Sequence, residues 1–459
     1  MRILKKVLKV AGWLLFLVLI AGVWIAWGVF PAVSGYGAKN MCSAVYLQHR
    51  NAADIIKEDL ADFPLSLGKF VLDEKDSSVT GSVWGFAKRK AIFRANIGAT
   101  LVNDFTEEQI RTQLFNLPVK PVVNPDTIAW PYGDNTADPI PSFINKIKLQ
   151  AAVDSAMNAT NNGQPAYTRA FLVVYDGKII AEKYAAGFDR STVMLGWSMS
   201  KSITGALIGM LVKQGKLDIN QPAPVEEWKG TDKERISIKD LLQQSSGLDF
   251  VEEYDRPSDV TNMLFSKGDM AAYTASRSLE HAPGTFFNYT SGNTNVLSRI
   301  IRKKVGEKDY AAFPYTELFY KINAYSFMLE PDASGTYIGS SYSYGTARDF
   351  ARFGLLYYNN GNWNGEQLLS ADWVADSKRP AGANKLGWYG YQFWLNGRDE
   401  LDSTRRRFND VPADCFFCGG FGGQNVFIIP SEKLVVVRMG LKEIDRNKYL
   451  KEVIAAVKQ

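Results

Sequence analysis

The chain has 459 residues, about three times the usual domain length, so one large domain with additions or two to three domains is expected. Apolar residues make up 46% and charged residues 22%, a globular balance that excludes a disordered, collagenous or coiled-coil chain. The net charge is +5, but Arg2, Lys5, Lys6 and Lys9 supply most of it, so no basic face for nucleic acid remains; two histidines and three cysteines restrict imidazole chemistry and exclude a disulfide framework.

No charged residue lies between Lys9 and Lys39. Val10 to Phe30 is apolar all round, and at ~1.5 Å per residue it spans ~30 Å, the thickness of a hydrocarbon core. Residues 1–38 are therefore expected to be a basic cytoplasmic stub and an uncleaved transmembrane anchor. The four leading positive charges would place the rest of the chain on the exported, periplasmic side of an inner membrane crossed once. Small residues at Ala32, Ser34 and Ala38 keep a cleaved signal peptide as the competing reading.

Residues 39–160 read as an N-terminal region of unassigned function, helical near Ala44–Leu60, with short apolar segments over Ser82–Leu101. Six prolines between Pro118 and Pro141 mark an extended connector. Helical spacing resumes over Ile144–Ala159. From residue 161 the pattern changes: Arg169–Val174 and Lys178–Tyr184 are β-rich runs joined at Asp176-Gly177, a hairpin signal. Trp197–Gln214 follows at helical spacing, with Gly215 as its stop. Ile238–Gln244, Asn293–Lys303 and Thr346–Asn359 read as helices, Gly390–Leu395, Asn425–Ile429 and Leu434–Met439 as strands, and Lys448–Val457 as a closing helix. Strands at both ends of residues 161–459 with helices between them predict an α+β domain whose sheet the C-terminal strands complete. There is no internal repeat of 20–50 residues.

The densest chemical signal is Gly196-Trp197-Ser198-Met199-Ser200-Lys201 at the predicted helix start. Ser198 and Lys201 lie one turn apart on the same face, as a serine nucleophile with an amine proton acceptor requires. A bland alternative is Ser198 as an N-cap and Lys201 as an exposed first-turn lysine. Gly196-x-Ser198-x-Ser200 also hints at a nucleophile elbow, but that chemistry needs a histidine after the serine, and the one available, His281, sits in a loop. Cys415-Phe416-Phe417-Cys418 is a lone CxxC with no second pair and no histidine nearby, which argues against zinc. It reads either as a disulfide or, preferably, as two small apolar residues beside a cleft.

Several segments in order resemble the serine hydrolases related to class C β-lactamases, penicillin-binding DD-peptidases and 6-aminohexanoate-dimer hydrolase. They are Ser198-Met199-Ser200-Lys201-Ser202-Ile203-Thr204-Gly205-Ala206, Gly215-Lys216-Leu217-Asp218, Ile238-Lys239-Asp240-Leu241-Leu242, Ser245-Ser246-Gly247-Leu248 and Pro283-Gly284-Thr285-Phe286-Phe287-Asn288-Tyr289-Thr290-Ser291. Thr346 to Gly354 and Cys418-Gly419-Gly420-Phe421-Gly422-Gly423-Gln424 complete the set. The resemblance implies a β-lactamase-like fold, an antiparallel sheet flanked by helices with an all-helical insertion. It implies Tyr289 as a proton relay and Ser291 on the same wall. It also implies an oxyanion hole from the Ser198 N–H and a backbone N–H near Phe421, with Gly419 and Gly420 giving close backbone approach. Where the family carries Lys or His in its third motif this chain has Cys418. Glu253 to Val260 resembles a loop of 6-aminohexanoate-dimer hydrolase, which makes Tyr254 a candidate substrate contact.

The expected function is a membrane-anchored serine hydrolase cleaving small esters or amides through an acyl-enzyme on Ser198, with Lys201 and Tyr289 moving protons and no metal or organic cofactor. The alternatives are a β-lactamase or DD-peptidase acting on cell-wall-like substrates, and a catalytically silent peptide-binding protein on the same fold.

Overall fold

A computed structural model describes residues 2–136, 139–402 and 404–458, without the side chains of 2–3, 14–15, 17–21 and 23–26. The chain forms two compact units: Met1–Arg111 with Val251–Gly268, and Thr112–Phe250 with Asp269–Gln459.

The first unit is a long helix on a small sheet. Helix α1 (Arg2–Tyr46) contains Pro31 and packs against the antiparallel strands β1 (Gly68–Asp73), β2 (Ser78–Val83), β3 (Phe86–Arg94) and β4 (Gly98–Leu101). Small residues make the close approach. A Cβ on Gly37 would enter the Phe70 ring, and one on Gly81 would meet the Ser34 carbonyl. The buried Lys39 ammonium donates to the Ala99 carbonyl at 2.5 Å.

This corrects the reading of Val10–Phe30 as a membrane anchor. Part of that run lies outside the described side chains, and among the described residues no helix is long and apolar enough to cross a membrane. The helix does not stop at Phe30; it continues to Tyr46, and its second half is buried on the sheet. The inner-membrane, single-pass localisation falls with the anchor. Ser34 and Ala38, which the signal-peptide alternative took for a cleavage region, lie in that buried half.

The second unit carries the predicted α+β core. Strand β5 (Ala170–Tyr175) turns through Asp176 and Gly177, both at positive φ, into β6 (Lys178–Tyr184). With β7 (Trp394–Leu395), β8 (Phe416–Gly420), β9 (Gln424–Ile429) and β10 (Leu434–Met439) they form one antiparallel sheet in the order β7-β8-β9-β10-β5-β6. The C-terminal strand β10 lies beside the N-terminal β5, Met439 opposite Ala170. Alternate residues face opposite layers. Leu172, Val174, Val435 and Val437 enter the core with α3 (Met199–Lys213) and α5 (Ala347–Tyr358), while Phe171, Val173, Leu434 and Val436 face α2 (Lys146–Met157) and α6 (Arg446–Val457). Burial on both faces explains why these strands read as continuous apolar runs. Each buried Val or Leu contributes about 1.5–3 kcal/mol. Between α3 and α5 the chain alternates short helices and α4 (Ser291–Val305) with loops. The insertion is not all-helical, because Met328–Leu329 and Ser343–Gly345 in it are strands, which form a small sheet with Met194–Leu195 just before α3.

Candidate active site

The turn into α3 is fastened to that small sheet. Gly196 N–H donates to the Ser343 carbonyl at 2.8 Å, and the Ser200 hydroxyl reaches the Trp197 carbonyl and Ser343 Oγ at 2.6 and 2.7 Å. Trp197 adopts φ 48°, a left-handed backbone that is costly for a bulky residue and here held by these bonds. Ser198 follows as the first residue of the helix end, yet its side chain makes no capping bond.

Instead, Ser198 Oγ accepts a hydrogen bond from Lys201 Nζ at 3.0 Å. Lys201 is 1% exposed, so it is not a solvated first-turn lysine. Its ammonium also donates to Ser291 Oγ at 3.0 Å and to the Ser340 carbonyl at 3.2 Å, all neutral oxygens. It stands 4.8 Å from the centre of the Tyr289 ring. Thr290 caps α4 by accepting from Asn293 N–H at 3.1 Å, which sets Ser291 in the first turn facing Lys201. Asn295, one turn further on, accepts from the Ser340 N–H at 3.2 Å and fixes the loop whose carbonyl Lys201 uses. Neither Ser340 nor Asn295 was expected from sequence. A backbone carbonyl leaves no residue-type signal, and Asn295 differs from any other helical asparagine only by what it touches.

The β8–β9 turn meets the same loop. A Cβ on Gly420 would collide with the Gly196 carbonyl and crowd the Trp197 side chain, so only glycine fits. The Phe421 ring, 47% exposed, packs edge-on to Trp197 with centroids 5.6 Å apart. Gly419 faces the other layer, where a Cβ would lie 3.2 Å from both Trp394 and Phe417. The turn is held from behind by Arg438. Its buried guanidinium donates to the Gly422 and Gly423 carbonyls at 3.2 and 2.9 Å and to Lys442 O at 2.9 Å.

Cys418 points into the main core beside Ser202, and burial pushes its thiol up to about 12. Cys415 belongs to the core on the opposite face of the sheet, and all three cysteines are free. An odd spacing along extended chain sends side chains to opposite faces, so the CxxC pair does not form a disulfide. Tyr254 lies in the first unit, 38% exposed, with its hydroxyl donating to Glu252 at 3.0 Å. His281 packs on Phe286 at 4.2 Å between ring centres and faces Glu280. The structure thus brings Ser198, Lys201, Tyr289 and Ser291 around one ammonium and sets Gly420 and Phe421 against the Ser198 loop. Cys418, on the same face of the strand as Gly420, is buried in the core beside Ser202.

A family model described as Beta-lactamase matches residues 156–455. A curated relative, 6-aminohexanoate-dimer hydrolase of Paenarthrobacter ureafaciens, is 28% identical over 331 residues, covering 66% of this chain and 80% of the relative. Among solved structures, one assigned as a 6-aminohexanoate-dimer hydrolase of Bacillus anthracis superposes with a TM-score of 0.54 at 22% identity, covering 75% of this chain and 86% of that one. A family VIII carboxylesterase superposes at 0.52 and 15% identity, covering 68% and 96%.

Proposed function

The chain belongs to the β-lactamase family of hydrolases, and from that premise we propose that it cleaves small ester or linear amide bonds through an acyl-enzyme on Ser198. The observation that carries this reading is the buried Lys201 Nζ, 3.0 Å from Ser198 Oγ. A buried lysine in its neutral form is a suitable general base. Lys201 takes the Ser198 proton as Oγ attacks the carbonyl carbon, and the tetrahedral oxyanion is met by the N–H groups of Ser198 and Phe421. The proton returns to the leaving oxygen or nitrogen by way of Lys201 and the Tyr289 hydroxyl, leaving the acyl group on Oγ. Water then attacks the ester so formed, with the same groups moving protons in reverse order.

The 28% identical 6-aminohexanoate-dimer hydrolase supports a linear amide as one substrate, and an activated ester, with the better leaving group, is the easier one. The test is a fluorophosphonate probe followed by peptide mapping. Labelling confined to the peptide bearing Ser198, and lost in Ser198→Ala, is expected; labelling elsewhere, or none, overturns the reading.

A further inference from the structure

Tyr289 is gripped on both sides by one residue that touches neither Ser198 nor Lys201. Gln244, just beyond the short helix Ile238–Leu242, is fully buried and has φ 59°, a left-handed backbone uncommon for a long side chain. In that conformation its main-chain carbonyl accepts from the Asn288 N–H at 2.8 Å. Its side-chain Oε1 accepts from the Thr290 N–H at 3.1 Å. The peptide groups before and after Tyr289 are therefore both tied to the same residue.

A second donor, Asn293 Nδ2, reaches the same Oε1 at 2.9 Å, so the oxygen end of the Gln244 amide is fixed by two N–H groups. Asn293 is held in turn, its Oδ1 accepting from Ser246 Oγ at 2.8 Å. The other end of the amide does no comparable work. Gln244 Nε2 is buried and has no hydrogen-bond partner among the described residues. Burying an unsatisfied amide N–H costs stability, and a side chain chosen for packing alone would not carry one. The accepting oxygen is what the position uses.

The Tyr289 ring is confined separately, by Trp394 with centroids 4.9 Å apart and by Tyr389 at 5.7 Å. These rings limit its tilt, while the backbone ties set how far it extends toward Lys201, 4.8 Å from the ring centre. A displacement of about 1 Å at a reacting group can cost ~10²-fold in rate.

We propose that Gln244 is the positioning residue of the proton relay, holding the Asn288–Thr290 segment so that the Tyr289 hydroxyl serves the leaving group. This rests on Ser198 being the nucleophile and deepens that reading by assigning the step that Gln244 serves. In that step the bond between the acyl carbon and the leaving oxygen breaks, and the acyl group stays on Ser198 Oγ. The proton taken from Oγ passes by Lys201 and Tyr289 to the departing oxygen. An alkoxide needs that proton to leave; a p-nitrophenolate leaves without it.

The experiment measures kcat/KM for ethyl butyrate and p-nitrophenyl butyrate, which form the same acyl-enzyme, on the full chain, Gln244→Met, Gln244→Glu and Ser198→Ala. Active enzyme is counted by fluorophosphonate titration, so a loss of folded protein cannot enter. Gln244→Met keeps the length of the side chain without its acceptor; the ethyl over p-nitrophenyl ratio should fall about tenfold or more. Gln244→Glu keeps an accepting oxygen whether ionised or not and gives up only the unpartnered Nε2, so its ratio should stay within about threefold of the parent's. A merely structural role would lower both esters by one factor. An unchanged ratio in Gln244→Met, or a Gln244→Glu ratio as low as that of Gln244→Met, overturns the proposal, and an inactive Ser198→Ala then leaves the nucleophile in place. A Ser198→Ala chain that hydrolyses both esters like the parent overturns the nucleophile and the proposal together. Should Gln244→Met not fold, Gln244→Asn, which withdraws the oxygen by one methylene, decides: a ratio equal to the parent's overturns the proposal.

Discussion

Around Ser198 the polar groups that could do chemistry belong to side chains, whereas at the β8–β9 turn, which packs against the same loop, they belong to the backbone. The helix start needs particular residue types at a fixed spacing, because Lys201 must reach Ser198, Ser291 and the Ser340 carbonyl at 3.0–3.2 Å. The turn needs residues with nothing attached, because Gly420 lies against the Gly196 carbonyl. Deleting an atom should therefore damage the first region, and adding one should damage the second.

The sharpest break of that contrast is Ser198→Ala. It should remove the acyl-enzyme and lower ester turnover by ~10⁴-fold or more, read by burst kinetics and probe labelling. Lys201→Met, which fills the buried space without the amine, should cost ~10²–10⁴ in kcat. His281→Ala should keep most of the activity; loss in the histidine variant with a competent Lys201→Met enzyme would reverse the assignment. On the other side of the comparison, Gly420→Ala adds one methyl group and must displace the Gly196–Trp197 loop. We expect about 1–3 kcal/mol of destabilisation by denaturant titration. A loss of kcat of roughly tenfold, with KM little changed, should accompany it as the Phe421 N–H moves. Full activity in Gly420→Ala would show that the turn does not set the geometry of the site.

The same contrast explains what the sequence made legible. Ser198 and Lys201 could be read from spacing and the hairpin from Asp176-Gly177, because both signals are local. Ser291 and Tyr289 needed the family resemblance, since nothing in Tyr289-Thr290-Ser291 alone says that Lys201 will face it. The Ser340 carbonyl, the Asn295 brace and the Arg438 clamp are long-range choices with no local pattern. The parity of β8 was readable but easily missed: Cys418 and Gly420 share a face, so the side chain at 418 follows the core-facing side of the strand. The excursion of Val251–Gly268 into the first unit leaves no mark in composition or periodicity. The long apolar run at the start of α1 was overread, because a continuous apolar stretch was treated as a separate element when it is the first half of a helix whose second half is buried on a sheet.

The smallest expected effect concerns what the turn lacks. The resemblance in sequence sets Cys418 at the family's third motif, where it implies Lys or His, but here the side chain is buried and its thiol is held neutral, pushed up to about 12. A cephalosporin carries its carboxylate close to the reacting ring, next to the position that this thiol leaves without charge. In a side-by-side measurement of kcat/KM, a p-nitrophenyl ester should rank first, an aminohexanoate-type amide second and a chromogenic cephalosporin last. Cys418→Ser, equally neutral and nearly isosteric, should change that order little, by about threefold at most. If the cephalosporin instead leads by tenfold or more, the charge missing from position 418 is supplied from elsewhere near Ser198, and the backbone turn is not the neutral wall inferred from its residues.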